Sequence, residues 1–503
     1  MTVMTAPPPP ATVALDPAVT AFLARTPAMM IDGARVAGSG ARRPVYDPAT
    51  GMVIAEVPQA SAAEVDAAVA AATRSLESGW TQLTPAERER LLLRFADAVE
   101  AHAEELAQLE TLNQGKSINV ARFVDIGGAP AFMRFVAGLA TKLRGETFDV
   151  SIQAVPGQRY TAYSRREPVG VVAAIAPWNF PMMIALWKIM PALAAGCPVV
   201  LKPSEVTPLT TLRLAELALE AGLPAGAFNV ITGDGAVGRM LVEHPGVAKI
   251  TFTGSTATGK AIARSAAERM QRVALELGGK NPAIFLKDVP IEQAIGGVML
   301  GGFFNTGQVC AASSRLYVAR EIYGDFVAAL SAAVGGMRLG PGLDPAAQIN
   351  PVVSAGHREK ILGFVEQARA EGARIMAGGD TPDRPGYYVN PTVVVDAAPG
   401  SSIQRQEVFG PLVSVTPFDD EAEAIRLAND SEFGLAASLW TNDLKKTLDI
   451  VPRLQAGTVW VNAHNLLDPA MPFGGYKQSG IGRDFGVACV EAYTEVKSIC
   501  IGH

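Results

Sequence analysis

The chain from Val169 to Leu275 alternates short apolar runs with longer stretches in which apolar residues recur at helical spacing. The runs predict buried strands, and the stretches between them are long enough for helices. Strands that alternate with helices in this way indicate a parallel, doubly wound sheet that is covered on both faces. The predicted strands are Val169–Ile175, Pro198–Leu201, Phe228–Ile231, Ala248–Thr253 and Val273–Leu275, and the predicted helices lie near Met182–Ala195, after Thr207, near Ala236–Glu243 and near Ala257–Arg269.

A second α/β region is predicted to follow this sheet. Its predicted strands are Ala283–Phe285, Leu316–Val318, Val413–Pro417 and Gly457–Asn462, and its predicted helices lie near Ile291–Phe304, Tyr323–Val334, His357–Glu371 and Glu421–Asn429. Residues Ala492–Cys500 are a candidate final strand. The chain therefore has a second set of strands and helices beyond the first sheet.

The segment before the first sheet contains short strands and two helices. The strands are predicted between about Met29 and Pro58. Capping boxes at Ser61–Glu64 and Thr84–Glu87 each begin a helix, and the second helix is predicted to run to about Thr111. Residues Gly145–Arg166 mix polar and apolar positions, which fits a projecting strand pair or an edge that binds a partner.

Composition and charge narrow the class of protein. The chain has 503 residues, too many for one hydrophobic core, so we expect two or more domains. Hydrophobic residues make up 49% and charged residues 18%, as is typical of globular proteins. A net charge of −6 gives no support for nucleic-acid binding. The spacing of the cysteines and histidines predicts no metal site.

Neither a signal peptide nor a membrane span is predicted, and we expect a cytoplasmic protein. Met1–Leu15 lacks a basic region and contains a run of prolines, so we interpret residues 1–18 as a disordered tail. Met182–Leu201 is apolar and about long enough to cross a bilayer. Lys188, two prolines and a glycine divide it instead into a buried helix and a strand.

One cysteine has an unusual setting. Cys310 follows Gly307-Gln308-Val309 in small, uncharged sequence. A free cysteine most often packs as a small hydrophobic residue, and the alternative is a nucleophile presented on a tight turn. The loop alone leaves both readings open. Cys197, Cys489 and Cys500 have no comparable setting and are interpreted as structural.

Polar residues follow several predicted strands, at the positions where open parallel sheets bind ligands. Asn179, between Pro177 and Pro181, can donate to a developing oxyanion or can satisfy its own backbone. Glu276 lies beside two glycines in apolar sequence, where a raised pKa would suit a general base. A salt bridge between Glu276 and Lys280 is the alternative.

Three further turns are candidates for nucleotide binding. Gly233–Gly238 is a GxGxxG motif after a strand, which indicates a dinucleotide site or simple turn chemistry. Thr253–Gly259 opens a helix whose N–H groups can face a phosphate, or carries an ordinary helix cap. Lys202 and Glu205 can bond ribose hydroxyls or form a surface ion pair.

Together these motifs resemble the aldehyde dehydrogenase superfamily in order and spacing, over nearly the whole chain past the prolines. The motifs are Pro177–Pro181, Lys202–Glu205, Phe252–Ser255, Glu276–Pro282, Gly307–Cys310, Glu407–Pro411 and Pro472–Gly475. The resemblance implies an α/β fold with a Rossmann-like NAD-binding domain, an α/β catalytic domain and a small β oligomerisation extension. The implied bounds are 19–146 and 167–278 for the NAD-binding domain, 279–478 for the catalytic domain, and 147–166 and 479–503 for the oligomerisation domain.

The resemblance also implies a reaction and its residues. Cys310 matches the nucleophile, Glu276 the general base and Asn179 the oxyanion donor, together with the backbone N–H of Cys310. An aldehyde would be oxidised through a thiohemiacetal and a thioester, and Glu276 favours hydrolysis because members that transfer the acyl group to coenzyme A lack this carboxylate. Glu205 favours NAD because it would repel a 2′-phosphate, although Lys202 leaves some use of NADP open.

The implied cofactor site uses the turn at Gly254–Gly259 for the phosphates, so Gly233–Gly238 is not interpreted as a Rossmann fingerprint. The implied cofactor contacts are Ala176, Pro177, Trp178, Lys202, Glu205, Gly235, Gly254, Ser255, Gly259, Leu277, Glu407 and Phe409. The resemblance further implies a dimer or tetramer, and we expect a homotetramer built as a dimer of dimers, without a nucleic-acid or membrane partner.

The implied acyl pocket is largely apolar and aromatic and has no arginine, which favours an uncharged hydrophobic aldehyde. Leu91–Ser117, Gln308–Ser314 and Leu454–Gly486 resemble bacterial phenylacetaldehyde dehydrogenases, so we expect phenylacetaldehyde as the substrate. A betaine-aldehyde or aminoaldehyde dehydrogenase is the alternative, because aromatic boxes also hold cations. A second alternative is a non-catalytic, crystallin-like structural protein. The pocket positions are Phe180, Met183, Ile184, Trp187, Phe304, Val309, Ala311, Asn465, Leu467 and Phe473.

Overall fold

The structure is a computed structural model and describes residues 12–503. The predicted disordered tail, 1–18, therefore lies mostly outside the described residues, but its last residues correct the prediction. Helix α1 (Pro17–Ala24) begins inside that range. Asp16 caps it by accepting a hydrogen bond from the Ala18 N–H at 2.7 Å, and a proline at the first helical position favours the start.

The described residues form strands throughout the chain. They are β1 (Met29–Ile31), β2 (Ala34–Val36), β3 (Arg42–Tyr46), β4 (Val53–Pro58), β5 (Thr147–Phe148), β6 (Tyr160–Pro168), β7 (Val172–Ile175), β8 (Val199–Lys202), β9 (Phe228–Val230), β10 (Lys249–Thr253), β11 (Arg272–Glu276), β12 (Asn281–Phe285), β13 (Ser313–Ala319), β14 (Arg374–Ala377), β15 (Thr392–Val395), β16 (Leu412–Phe418), β17 (Phe433–Gly434), β18 (Ala436–Trp440), β19 (Thr458–Val461), β20 (Tyr476–Lys477), β21 (Gly480–Ile481) and β22 (Thr494–Gly502).

Helices connect these strands. After α1 they are α2 (Ala62–Ser78), α3 (Pro85–Ala101), α4 (Ala103–Gln114), α5 (Ile118–Val120), α6 (Gly127–Leu139), α7 (Pro181–Ala195), α8 (Leu209–Glu220), α9 (Gly235–Glu243), α10 (Thr256–Ala267), α11 (Ile291–Gly302), α12 (Arg320–Gly335), α13 (Ala355–Ala370), α14 (Ser402–Arg405), α15 (Glu421–Asn429), α16 (Leu444–Ile450) and α17 (Ala488–Glu491). A π-helix covers Ala121–Ile126, and short 3-10 helices cover Trp80–Gln82, Phe304–Gly307 and Val451–Arg453.

The predicted helix from Thr84 to about Thr111 is wrong as one continuous element. The structure divides it at His102, whose φ of −105° and ψ of 23° leave helical geometry. The His102 ring bonds back to the Ala98 carbonyl at 2.9 Å, so it satisfies one end of α3 while α4 starts in a new direction. Apolar residues recur on both sides of the break, which is why the pattern alone did not reveal it. Gly115, with φ of 91°, ends α4 as predicted.

The first sheet confirms the predicted parallel, doubly wound region. Its strand order is β2-β1-β9-β8-β7-β10-β11-β21, and the five strands from β9 to β11 run parallel. Alternate residues of β7 face opposite cores. Val172 and Ala174 pack with residues of α3, α6, α7 and α8, whereas Ala173 and Ile175 pack with residues of α2, α9 and α10. Both faces are therefore covered, as the apolar strands predict.

Parallel strands bring several predicted site residues to one edge of the first sheet. Ile175, at the end of β7, pairs with Lys202 at the end of β8 and with Phe252 in β10. Thr253, at the end of β10, pairs with Glu276 at the end of β11. Residues that follow these four strands consequently lie side by side.

The second sheet has the order β14-β15-β16-β13-β12-β18-β19 and is parallel except for β14. Its faces also pack against separate cores. Phe285 packs with residues of α11 and α12, and Ile284 packs with residues of α15. Strand β11 of the first sheet ends at Glu276, and β12 of the second sheet begins at Asn281. The domain boundary between residues 278 and 279 falls between these strands and stays a prediction.

A third sheet contains the strand pair that is predicted between Gly145 and Arg166. Strands β5 and β6 pair antiparallel, and β22 pairs with the other edge of β6 from Thr494 to Gly502. Residues 480–481 do not belong to it, because β21 pairs with β11 at the edge of the first sheet. Cys489, Val490 and Tyr493 also pack into the first core, so the segment 479–493 lies with the first sheet. Its assignment together with 147–166 to an oligomerisation domain stays a prediction.

Candidate active site

The Cys310 loop is held in a strained backbone conformation. It connects α11 to β13, and Asn305 and Thr306 both have positive φ, 47° and 55°, which non-glycine residues rarely adopt. Gly307 follows with φ of 69°. A Cβ on Gly307 would overlap the Gly410 carbonyl, so only glycine fits the turn.

Side chains from outside the loop fix the backbone around Cys310. The Asn281 amide donates to the Cys310 carbonyl at 2.8 Å and to the Ala312 carbonyl at 3.0 Å. The ring of His464 bonds the Ala311 carbonyl at 2.8 Å. Neither residue was predicted as a site residue. Each bonds a backbone carbonyl that is distant from it in the sequence, and no local pattern indicates such a contact.

The thiol of Cys310 is partly buried, with Val309 and Ala311 buried on either side of it. Burial, together with the carboxylates of Glu407 and Glu276, raises the pKa of Cys310 to about 12. The thiol is therefore the resting form, and a thiolate would need a nearby positive charge or a proton acceptor. Gly279, three residues after Glu276, lies against the Cys310 loop, because a Cβ there would stand 2.6 Å from the Cys310 carbonyl oxygen.

Glu276 ends β11 as a buried carboxyl group, with 6% of its surface exposed. Neither carboxyl oxygen has a hydrogen-bond partner within residues 12–503. Burial raises the pKa of Glu276 well above its ordinary value, the Asp484 carboxylate adds to that effect, and Lys188 opposes it. Lys188 itself bonds Asp484 at 2.7 Å. Its carboxylate accepts a proton more readily than an ordinary glutamate does, as suits a general base.

The alternative interpretation of Glu276 as an ion pair with Lys280 does not hold. The Lys280 ammonium is buried and has no hydrogen-bond partner in the described part of the chain. Gly474 lies against Glu276 instead, because a Cβ there would stand 2.7 Å from one carboxyl oxygen. The glycine-rich segment after Pro472 thus leaves space beside the carboxyl group.

Asn179 lies in the loop between β7 and α7 and is 3% exposed. Its side-chain amide donates to the Gln308 carbonyl at 3.0 Å. This contact places the predicted oxyanion donor against the loop that carries Cys310. One of the two amide hydrogens makes this bond, and the other is available to a ligand oxygen.

The predicted cofactor residues lie along the edge where β7, β8, β10 and β11 end. The Lys202 ammonium donates to the Pro203 and Gly233 carbonyls, both at 2.8 Å, and lies 3.9 Å from the Glu205 carboxylate. The Ala176 N–H donates to the Lys202 carbonyl at 3.1 Å, so Pro177 and Trp178 leave the sheet at the same place. Gly235 is the first residue of α9, next to this cluster.

The turn at Gly254–Gly259 has the form of a phosphate site. Ser255 caps α10 by accepting from the Thr258 N–H at 3.2 Å, while the other N–H groups of the first turn stay available. A Cβ on Gly254 or on Gly259 would overlap Phe252 or Leu277, respectively, so both positions require glycine. A dinucleotide phosphate can therefore approach this helix start closely.

Glu407 and two aromatic residues form the other side of the cleft. Glu407 accepts from the Gly279 N–H at 2.9 Å, and burial raises its pKa to about 7. The rings of Trp178 and Phe409 meet edge to face with centroids 5.1 Å apart. Phe409 has a φ of 62°. These groups and the glycine turn fit a dinucleotide such as NAD, with a carboxylate for ribose hydroxyls and flat walls for a ring.

His357, which was not predicted as a site residue, belongs to the same wall. Its ring lies 4.9 Å from that of Trp178 and bonds the Phe409 carbonyl at 2.7 Å. Burial lowers the pKa of His357 to about 4, so the ring is neutral. Its position in the first turn of α13 gave no indication of this contact.

Most of the predicted acyl-pocket residues come together. The ring centroids of Phe180 and Phe304 are 6.2 Å apart, and those of Trp187 and Phe473 are 6.3 Å apart. Phe485, which was not predicted, lies 4.7 Å from Trp187. One apolar cluster contains these side chains and the side chain of Cys310, together with Met183, Ile184, Val309 and Ala311.

Two predicted pocket residues, Asn465 and Leu467, are not among the side chains of this apolar cluster. The Asn465 amide donates to the Leu300 carbonyl at 3.1 Å, so it serves the local backbone. Leu467 is 37% exposed and does not pack in the apolar cluster around Cys310. Both residues belong to the loop after β19. In an irregular loop, the order of apolar residues does not indicate which side chains are buried.

Comparison with known proteins agrees with this site. The model of the aldehyde dehydrogenase family matches residues 36–499. A phenylacetaldehyde dehydrogenase of Pseudomonas fluorescens is 48% identical over 91% of this chain and 92% of its own length. A betaine aldehyde dehydrogenase of Cereibacter sphaeroides is 45% identical over 92% of this chain and 94% of its own. The structure of an aldehyde dehydrogenase from Bacillus cereus, in complex with NAD⁺, matches with a TM-score of 0.95 at 44% identity, covering 98% of this chain and 99% of that one.

The two α/β sheets and the cleft that fits a dinucleotide define an oxidoreductase that uses a nicotinamide cofactor. The chain belongs to the aldehyde dehydrogenase family and is an NAD-dependent aldehyde dehydrogenase. No helix within residues 12–503 is both long and apolar enough to cross a membrane. The same residues bring together no group of three His, Cys, Asp or Glu side chains that could hold a metal ion.

Proposed function

We propose that this enzyme oxidises a hydrophobic aromatic aldehyde, with phenylacetaldehyde as the leading candidate, to the carboxylic acid. The observation that carries the proposal is the presence of two aromatic pairs, Phe180 with Phe304 and Trp187 with Phe473, in the same apolar core that Cys310 packs against. An apolar, aromatic cavity selects an uncharged ring and offers no charged partner to a polar substrate. The name of the Pseudomonas fluorescens relative supports the same choice.

In the proposed mechanism, the Cys310 thiol releases its proton to solvent, and the thiolate adds to the aldehyde carbon to give the oxyanion of a thiohemiacetal. The free N–H of the Asn179 amide and the backbone N–H of Cys310 donate to the oxyanion. Bound NAD⁺ supplies the hydride acceptor. Loss of hydride leaves a thioester on Cys310, which retains the acyl group until water reaches it.

Glu276 is proposed to act in the second half of the reaction. Its carboxylate takes a proton from water as the water oxygen attacks the thioester carbon, and the Cys310 thiolate leaves. The absence of competing hydrogen bonds on both carboxyl oxygens within the described residues supports this role, because a water molecule can bond either one. The products are the carboxylic acid and the free thiol of Cys310.

The proposed cofactor contacts follow from the cleft. Lys202 and Glu205 hold the adenosine ribose, the start of α10 at Ser255 holds the phosphates, and Glu407 holds the nicotinamide ribose. The carboxylate of Glu205 favours NAD over NADP by repelling a 2′-phosphate. Trp178 and Phe409 provide aromatic walls near the reacting end.

Betaine aldehyde is the second candidate substrate. Relatives that carry that name are 45% identical, and four aromatic side chains around one pocket can also hold a cation. Against this, Asn465 is an amide where a carboxylate would help to hold a cation, and it is engaged with Leu300. A non-catalytic, crystallin-like role is disfavoured because Cys310, Glu276 and Asn179 are all present and close together.

A kcat/KM panel tests the proposal. The substrates are phenylacetaldehyde, benzaldehyde, hexanal, betaine aldehyde and aminobutyraldehyde, each with NAD⁺ and with NADP⁺. We expect phenylacetaldehyde with NAD⁺ to rank first and Cys310→Ala to give no NADH. A clear preference for betaine aldehyde would overturn the substrate assignment and leave the mechanism intact. Wild-type enzyme that makes no NADH with any aldehyde would overturn both.

We further propose a cytoplasmic homotetramer that assembles through the third sheet. Apolar side chains are exposed on or beside it, including Phe148, Ile152, Val496 and Ile501, and a second copy would cover them. The four cysteines are free, as is usual in a reducing compartment. Light scattering should give about four times the mass of one chain, and Val496→Asp with Ile501→Asp should reduce it. A wild-type monomer would contradict this assembly.

A further inference from the structure

We propose that Asn305 is a positioning residue, which holds the catalytic amide of Asn179 against the Cys310 loop. This inference rests on the proposed roles of Asn179 and Cys310. The Asn305 side-chain amide donates to the backbone carbonyl of Asn179 at 3.1 Å, and the Asn179 side-chain amide donates to the Gln308 carbonyl at 3.0 Å. The two asparagines therefore form a bridge between the loop after β7 and the loop before Cys310.

The backbone of Asn305 carries strain that its own contacts do not relieve. Asn305 and Thr306 both lie in the left-handed region, where a non-glycine residue costs free energy. The carbonyl oxygen of the Asn305 side chain is buried without a hydrogen-bond partner in residues 12–503. A residue that is strained and has an unsatisfied acceptor contributes little to stability, which points to a functional reason for its amide.

The loop around Asn305 is anchored so that the bridge has a fixed geometry. The Thr306 hydroxyl bonds the Asn350 carbonyl at 3.2 Å. The Gln308 side chain accepts from the Val353 N–H at 3.0 Å and donates to the Asn305 carbonyl at 3.2 Å. The Asn305 amide connects this anchored loop to the segment that carries Asn179. The Asn305 amide sets the position of that segment relative to the sulfur.

Two substitutions separate positioning from packing. Asn305→Gly removes the amide and relieves the left-handed strain, so the melting temperature should stay at or above that of the wild type. Asn305→Asp keeps the size but offers only acceptors to the Asn179 carbonyl. Both should lower kcat for aldehyde oxidation by about 10- to 100-fold, because a misplaced catalytic group loses transition-state stabilisation. KM for the aldehyde and for NAD⁺ should change by less than about threefold, since neither is proposed to contact Asn305.

A double-mutant cycle gives the deciding readout. If Asn305 acts through Asn179, then Asn179→Ala with Asn305→Gly should be within about twofold of Asn179→Ala alone. Losses that multiply, or Asn305→Gly with wild-type kcat, would overturn the proposal. If Asn305→Gly fails to fold, Asn305→Asp carries the same comparison.

The rate of Cys310 alkylation by iodoacetamide shows whether a substitution at Asn305 disturbs the Asn179 loop or the Cys310 loop. This reaction needs the sulfur but no oxyanion donor, so it should stay within about twofold of wild type in both Asn305 variants. Alkylation that slows in parallel with kcat would show that Asn305 supports the nucleophile instead, and would overturn the proposal. Wild-type enzyme that makes no NADH would contradict the proposed function itself, which keeps the two failures distinct.

Discussion

The ammonium group of Lys116 lies 4.2 Å from the centre of the Phe180 ring and 2.9 Å from an Asp125 carboxyl oxygen. Glu110 is 3.8 Å from the same ammonium group and accepts from the Met182 N–H at the start of α7 at 3.2 Å. All three charged side chains are fully buried. The loop that carries Asn179 therefore lies on a buried ionic cluster, which joins α4, the π-helix and α7.

We predict that Lys116→Met destabilises the protein severely. It removes one cation and leaves two carboxyl groups buried together, and such a loss typically costs about 3–5 kcal/mol. Urea unfolding followed by fluorescence measures the change. Arg374→Ala, which breaks the exposed pair with Asp396, is the matched control and should have no measurable effect. Equal stability of Lys116→Met and wild type would show that the cluster is not a stabilising unit.

The Glu276 carboxyl group gives a kinetic prediction. Glu276→Gln keeps the shape and the hydride step but removes the proton acceptor for hydrolysis. We expect a rapid burst of about one NADH per active site, followed by turnover that is about 10²- to 10⁴-fold slower than wild type. Stopped-flow absorbance at 340 nm measures both phases. Steady turnover at the wild-type rate would remove Glu276 from the mechanism, whereas Cys310→Ala should show neither phase.

The same substitution has a predicted effect on stability with a defined pH dependence. Burial raises the pKa of Glu276 in the folded chain above its unfolded value. At low pH both states hold the proton and the cost vanishes. As pH rises above about 4.5, the unfolded state releases its proton while the folded state still holds it. The free energy of unfolding then falls by up to about 1.4 kcal/mol per pH unit until the pH reaches the pKa of the folded state. Glu276→Gln should therefore raise the melting temperature more at pH 8 than at pH 5. An equal shift at both values would contradict the raised pKa.

In the enzyme without cofactor, the rate at which Cys310 is alkylated should depend on pH. Burial raises its pKa to about 12, so the thiolate fraction increases about tenfold per pH unit below that value. We expect the iodoacetamide rate at Cys310 to rise about tenfold from pH 7 to 8 and again from 8 to 9. Mass spectrometry of the Cys310 peptide measures it, with the exposed Cys500 in the same digest as a check on the reagent. A plateau below pH 9 would mean that a neighbouring group stabilises the thiolate.

Much of the site was predictable from sequence because it lies at the ends of parallel strands. Lys202, Thr253 and Glu276 each follow an apolar run, and parallel order alone places such residues at one edge. The site residues that were not predicted depend on tertiary contacts. Phe485 contacts Trp187, and β21, which precedes Phe485 in the chain, pairs with β11. No local pattern encodes either contact. The left-handed backbone of Asn305 is also a tertiary feature, because asparagine tolerates this region better than most residues but does not by itself require it.

The aromatic wall provides a prediction about substrate choice. Phe473 is 3% exposed, and its ring lies edge-on to that of Trp187. A substrate ring in this pocket would gain an aromatic contact that a linear aldehyde does not gain, and such a contact is worth about 0.5–1.5 kcal/mol. Phe473→Leu keeps the pocket apolar and removes that contact. We expect kcat/KM for phenylacetaldehyde to fall about 3- to 10-fold relative to hexanal.

The contact with Phe473 is tested by the ratio of kcat/KM for phenylacetaldehyde to kcat/KM for hexanal. Either value alone is not a test, because general damage to the enzyme lowers both together. Phe22→Leu makes the same change in α1, away from the pocket, and should leave the ratio at its wild-type value. An unchanged ratio in Phe473→Leu would indicate that this ring packs only against the protein. A ratio that falls in Phe473→Leu alone would mean that the enzyme selects the ring of its substrate at this position. The preference for an aromatic aldehyde would then come from the pocket wall, and the chemistry at Cys310 would be the same for both substrates.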